Sequence, residues 1–134
     1  GEPFPTQKVV RAIKKRKVPS KNWIDAARAM MTTDTYPKGT SIKTSIGNQK
    51  VTITGIAKGS GMIAPNMATM LSFIATDARV TKDVLERIKL NALSKSFNRI
   101  TVDGDTSTND SFILIATSKA KTPIIDKLDS KKDK

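Results

Sequence analysis

Apolar residues recur along this chain in two rhythms, and the switches between them outline its elements. Val9, Val10 and Ile13 return at helical spacing within residues 5–17, and Pro19 just beyond closes that stretch. Ser20 stands as an N-cap before a second helical stretch, 21–31, whose apolar side carries Trp23, Ala26, Ala27, Met30 and Met31. The period then drops to two. Residues 41–46 and 50–56 alternate on either side of Gly47-Asn48, the signature of a tight hairpin. A short apolar run at 70–75 reads as a buried strand, and Thr81 caps a helix running to about residue 96 with Val84, Leu85, Ile88, Ala92 and Leu93 inward. Residues 99–102 and 112–116 read as strands flanking a polar loop, 103–110, and Thr122 opens an expected last helix that ends in charge. Strands and helices interleave, which places the chain in the mixed α/β class as a single domain without repeats or a linker.

Composition changes that picture little. A chain of 134 residues buries roughly two thirds of its unfolded surface, enough for one core. With one Trp, one Tyr and four Phe, that core rests on Ile, Leu, Val, Met and Ala. No apolar run approaches the ~20 residues of a membrane span and no signal-peptide pattern opens the chain. The absence of cysteine excludes disulfides and thiolate metal sites and suits the cytosol.

Charge matters more. The net charge of +12 invites a nucleic-acid reading, and Lys14-Lys15-Arg16-Lys17-Val18 resembles a localisation run. That run closes a helix, where cations complement the dipole, and no aromatic residues interleave with the lysines as stacking platforms. The basic surface therefore reads as a solvated face, with a nucleic-acid-binding module or an inactive remnant as the competing functions. Two motifs are decoys. Asp103, Asp105, Ser107 and Asn109 imitate a calcium loop, but Thr108 and Leu114 stand where an EF-hand needs glycine and a bidentate acid. Gly59, Gly61 and Ala64, with Asp77 downstream, imitate a dinucleotide fingerprint, but Pro65 interrupts the helix it requires, which leaves a nucleotide-binding domain as a distant runner-up.

The chemistry concentrates in residues 58–71, where a glycine turn and a proline-interrupted loop lead to one hydroxyl, Thr69, among Met67, Ala68, Met70 and Leu71. With no histidine or cysteine in the chain, a nucleophile here needs another base. An α-amine freed on the nucleophile itself, with a reference pKa of about 8, is one such base.

Several blocks of this sequence resemble the ornithine acetyltransferase family, the bifunctional glutamate N-acetyltransferases of arginine biosynthesis. They are Met31-Thr32-Thr33-Asp34-Thr35 with Pro37-Lys38, the 58–71 stretch, Ala75-Thr76-Asp77-Ala78, and the run from Ser96 through Asp103-Gly104-Asp105 to Asn109-Asp110, in the family's order. The resemblance weakens after about Thr117. It implies self-cleavage between Ala68 and Thr69, so that residues 1–68 end one subunit (α) and 69–134 begin a second (β) with Thr69 as its N-terminal nucleophile. It further implies that Thr32 and Lys58, with Thr69, bind substrate. Acetyl then passes from N-acetylornithine to Thr69 and on to glutamate, some members also accepting acetyl-CoA as donor. No metal or resident cofactor is implied, the subunits form a heterotetramer in the cytoplasm, and neither nucleic acid nor membrane is a partner. The implied fold is an α-β-β-α layered sandwich, incomplete in this segment.

Each of these residues has a plainer reading when taken alone. Thr69 would be a strand residue packed by its methyl, Lys58 a solvated cation, and Thr32 a turn residue after a helix. Their joint placement in the blocks favours the functional reading. By the same resemblance, the family's oxyanion-hole Thr-Gly pair and a substrate-binding glutamate fall outside these 134 residues. Losing an oxyanion donor alone slows such chemistry by about 10²–10³, so this segment by itself is expected to be inactive.

Overall fold

The computed structural model describes residues 2–15, 22–64, 70–105 and 109–128. Alternation around Gly47-Asn48 produces the expected hairpin, longer than the sequence pattern alone marks. Strands β1 (Lys38–Ile46) and β2 (Gln49–Lys58) pair antiparallel from Ile46↔Gln49 to Lys38↔Ala57. Gly47 takes φ 59°, which suits a two-residue hairpin turn with glycine at its first central position.

β3 (Leu71–Thr76) adds antiparallel to β2, and β4 (Ser111–Ala116) adds parallel to β3, giving one sheet in the order β1-β2-β3-β4. A parallel pair needs a long crossover, and the helix Lys82–Lys95 supplies it. The helices are α1 (Thr6–Lys15), α2 (Trp23–Met30) and this crossover helix, α3 (Lys82–Lys95).

Side chains alternate between the two faces of the sheet. On one face, Leu85, Ile88 and Ala92 of α3 stand across from Ile53, Ile74 and Leu114 around an apolar cavity of about 320 Å³. Val51 and Val84, each 2% exposed, are buried core residues. On the other face α2 packs over β1 and β2, with Ala27 fully buried. An apolar groove lies between α2 and the sheet, lined by Trp23, Ala26, Met30, Ile56 and Phe73. A ring contact between Phe97 and Phe112, centroids 5.5 Å apart and edge to face, closes the α3 side.

The mixed α/β class expected from the sequence is the class observed, with helices on both faces of the sheet. Four local expectations need correction. The first helix begins at Thr6 rather than residue 5 and is a surface helix, as expected, with Ile13 67% exposed; residues 16 and 17 lie outside the described set. The second helix starts at Trp23 after Asn22, and the expected cap Ser20 lies outside the described residues. Residues 99–102 form no strand: a 3-10 turn, Phe97–Arg99, occupies their start and the rest is irregular. Thr122 opens no helix. Its hydroxyl is buried and accepts the Arg79 amide at 3.2 Å, while Ile125 bridges to Val80.

Candidate functional site

Thr32 and Lys58 reach the same corner of the sheet by different routes. α2 ends at Met30 and Met31 turns extended, so Thr32 emerges directly from the C-terminal end of the helix. Lys58 is the last residue of β2, opposite Leu71, the first residue of β3. It stands two residues beyond Ile56 and so shares the α2 face of the sheet with the apolar groove. Thr32 is exposed and Lys58 half-buried. Among the described residues the Lys58 ammonium makes no ion pair.

One carboxylate joins the two routes. Asp34, 7% exposed, accepts the Gly59 amide at 2.9 Å on Oδ1 and, more weakly, the Thr32 amide at 3.5 Å on Oδ2. Lys38, at the start of β1, donates its ammonium to Oδ1 as well. Gly59 offers its N–H from φ 155°, a conformation that L side chains rarely adopt. Beside it the Thr33 and Ser60 hydroxyls lie 2.6 Å apart, a second tie between the same two segments. Burial opposes ionisation of Asp34. The bonds from Lys38, Gly59 and Thr32 and the Lys38 charge outweigh it and hold the carboxyl below its ordinary range. Lys38 is thus committed to Asp34, whereas Lys58 has no carboxylate partner among the described residues.

Residues 59–70 connect β2 to β3, and two more aspartates grip that connection. Asp103 accepts the amides of Met62 at 2.5 Å and Ile63 at 3.0 Å. These backbone bonds, the one from Met62 foremost, lower its pKa. Met62 sits at φ 52°, an unusual conformation for a residue with a side chain. Ile63 returns a carbonyl to the Val102 amide at 2.8 Å and to the Thr101 hydroxyl at 3.2 Å. Asp110 accepts the amide of Met70 at 2.8 Å, and the Met70 carbonyl accepts the Ser111 amide at 3.0 Å. The connection is therefore fastened near its start, within it and at its end, each time by a carboxylate from another part of the chain.

Of the site residues expected from the sequence, the structure brings Thr32 and Lys58 to one corner. Ala68 and Thr69 lie outside the described residues, and Met70, which follows Thr69, is held by Asp110. The Asp103 oxygens are engaged by the amides of Met62, Ile63 and Asp105. Asp77 accepts the Thr52 amide at 2.8 Å, and Gly59 and Gly61 lead into irregular chain through Ala64. Among the described residues no group of acidic side chains is arranged to hold a metal ion, and no helix is long and apolar enough to cross a membrane.

Sequence reasoning gave Asp34, Asp103 and Asp110 no structural role. The available signal was their position inside the blocks that carry Thr32 and flank residues 58–71.

The sheet, its fastened β2–β3 connection and the corner holding Thr32 and Lys58 belong to a sequence that matches known proteins along nearly its whole length. The model of the ArgJ family matches residues 1–133, and the chain belongs to that family. The arginine biosynthesis bifunctional protein ArgJ of Pseudomonas fluorescens (strain Pf0-1) is 53% identical over 129 residues, covering 95% of this chain and 32% of the relative. The protein of the same name from Neisseria gonorrhoeae is 54% identical over 128 residues, covering 95% of this chain and 31% of the relative. The chain thus spans about a third of the length of the curated relatives it matches.

Proposed function

We propose that this chain is the central segment of a self-processing acetyltransferase of arginine biosynthesis, with Thr69 as its nucleophile. Membership of the ArgJ family and the names of its relatives support the pathway. The observation that carries the site reading is the Asp34 junction, which gathers Thr32 and Lys58, without an ion pair among the described residues, at the base of the connection containing Thr69.

In this reading the Thr69 hydroxyl first attacks the Ala68 carbonyl. The acyl group moves from nitrogen to oxygen, and water hydrolyses the ester to leave a free α-amine on Thr69. That amine then accepts the hydroxyl proton as Thr69 attacks the acetyl carbonyl of N-acetylornithine. The C–N bond breaks, ornithine leaves with the proton, and acetyl-Thr69 remains. The glutamate amine attacks that ester, releasing N-acetylglutamate and restoring the threonine. Acetyl-CoA is an alternative donor to the same hydroxyl. The Lys58 ammonium, a compact point charge, pairs with the substrate α-carboxylate, and Thr32 contributes a hydroxyl beside it. Residues 1–68 and 69–134 are the end of an α subunit and the start of a β subunit in a cytoplasmic heterotetramer.

The test uses the full-length polypeptide that carries this segment. Acetyl transfer from N-acetylornithine to glutamate should be measurable, and mass spectrometry should show a break ahead of Thr69. Thr69→Ala should abolish both. Full turnover by the Thr69→Ala protein would refute the assignment, and the 134-residue segment alone should be inactive.

A further inference from the structure

Asp34 is unusual among the described carboxylates in what it joins. Its side chain is 1% exposed, yet it carries a charge, and the donors that compensate it come from three separate places. They are the Thr32 amide in the turn after α2, the Lys38 ammonium at the head of β1, and the Gly59 amide just past the end of β2. Two of these adjoin, or belong to, the residues assigned to substrate. Asp77 offers the contrast. It too ties a loop to β2, accepting the Thr52 amide at 2.8 Å, but at the other end of the strand. Six residues of extended chain separate Thr52 from Lys58, about 20 Å.

We propose that Asp34 is a positioning residue. Its buried carboxylate fixes the Thr32 turn and the Lys58–Gly59 strand end at one spacing, so that hydroxyl and ammonium meet the same substrate. This rests on the reading of Thr32 and Lys58 as substrate-binding. The physical reason is that both are presented by irregular chain or a strand end. The Thr32 turn follows a helix of only eight residues, and Lys58 sits where β2 gives way to residues 59–70. Thr32 itself has no ladder partner in the sheet. α2 packs on β2 before it and Lys38 pairs with Ala57 after it. Between those anchors the carboxylate and the Thr33–Ser60 hydroxyl contact tie the turn to the strand end. A charged acceptor makes stronger bonds to amides than a neutral one, so the spacing is stiff.

Asp34→Asn in the full-length polypeptide is the test. The amide keeps the size of the side chain but turns one acceptor oxygen into an N–H donor, facing either the Thr32 amide or the Lys38 ammonium. KM for N-acetylornithine should rise about tenfold or more in folded, processed protein, with kcat within about threefold. Asp77→Asn serves as the control for a merely structural role and should leave KM unchanged. An Asp34→Asn protein with unaltered KM, losing only yield or apparent kcat, overturns the proposal, as does an equal rise in KM from Asp77→Asn.

Where Asp34→Asn does not fold, Asp34→Glu keeps the charge but displaces the carboxylate by one methylene. In folded, processed protein a rise in KM of threefold or more supports the proposal and an unchanged KM overturns it. If the unmutated protein transfers no acetyl, the functional reading itself has failed and this proposal falls with it.

Discussion

Ser72 and Thr122 are two hydroxyls with the same burial and opposite prospects. Each is 1% exposed. The Thr122 hydroxyl accepts the Arg79 amide at 3.2 Å, whereas the Ser72 hydroxyl has no hydrogen-bond partner among the described residues. An unsatisfied buried polar group costs about 1–3 kcal/mol. Replacing Ser72 by alanine removes that penalty and leaves a void of roughly one atom, about 10 Å³, worth about 0.2 kcal/mol. Ser72→Ala should therefore stabilise the fold by about 1 kcal/mol. Thr122→Val keeps the shape, removes an acceptor in use, and should destabilise by about 1 kcal/mol. Urea unfolding followed by the fluorescence of Trp23, the chain's one tryptophan, should show the midpoints moving in opposite directions by about 0.5–1 M. A loss of 1 kcal/mol or more on Ser72→Ala would refute the reasoning. It would mean that water in the adjoining groove of about 300 Å³ satisfies the hydroxyl.

Other expectations follow from named contacts. A Cβ at Gly55 would lie 3.2 Å from the Ile74 side chain, so Gly55→Val should cost about 1–3 kcal/mol by overpacking the sheet, read from the urea midpoint. At Gly47 a Cβ would meet nothing within 4 Å, but φ is 59°, so Gly47→Ala should cost about 1 kcal/mol through backbone conformation alone. Asp34 has a folded pKa below its ordinary value of 3.8, so its charge contributes stability above that value. That contribution is lost as pH falls through the lowered folded pKa. The stability difference between the unmutated chain and Asp34→Asn should accordingly be full near neutral pH and shrink below about pH 4. A difference that stays constant into strong acid would contradict it.

The sequence disclosed those elements whose periodicity and boundaries agree. The hairpin was legible because alternation and Gly47-Asn48 point the same way, and α3 because Val84, Leu85, Ile88 and Ala92 keep helical spacing after Thr81. Residues 99–102 misled because Ile100 and Val102 imitate a strand's alternation. They are 40% and 57% exposed, and the single Val102–Ile63 bond fastens a loop rather than starting a ladder. The expected helix after Thr122 lost to tertiary bonds, with the Arg79 and Thr81 backbones claiming Thr122 and Ile125.

At the site, the blocks singled out Thr32 and Lys58, and the structure sets both beside Asp34. The roles of Asp34, Asp103 and Asp110 were not legible, because an aspartate reads alike whether it faces water or grips amides 25 to 41 positions away.

The β2–β3 ladder has a consequence for the order of events in the life of this protein. Its six facing positions, from Ile53↔Thr76 to Lys58↔Leu71, bind chain lying before the proposed break to chain lying after it. While the backbone is continuous, these edges find each other within one molecule and assembly does not depend on dilution. Once severed, two denatured pieces must meet by diffusion, so regain of structure becomes second-order. A matured protein unfolded and then diluted should recover poorly, and better as concentration rises, whereas an unsevered precursor should recover equally at every concentration.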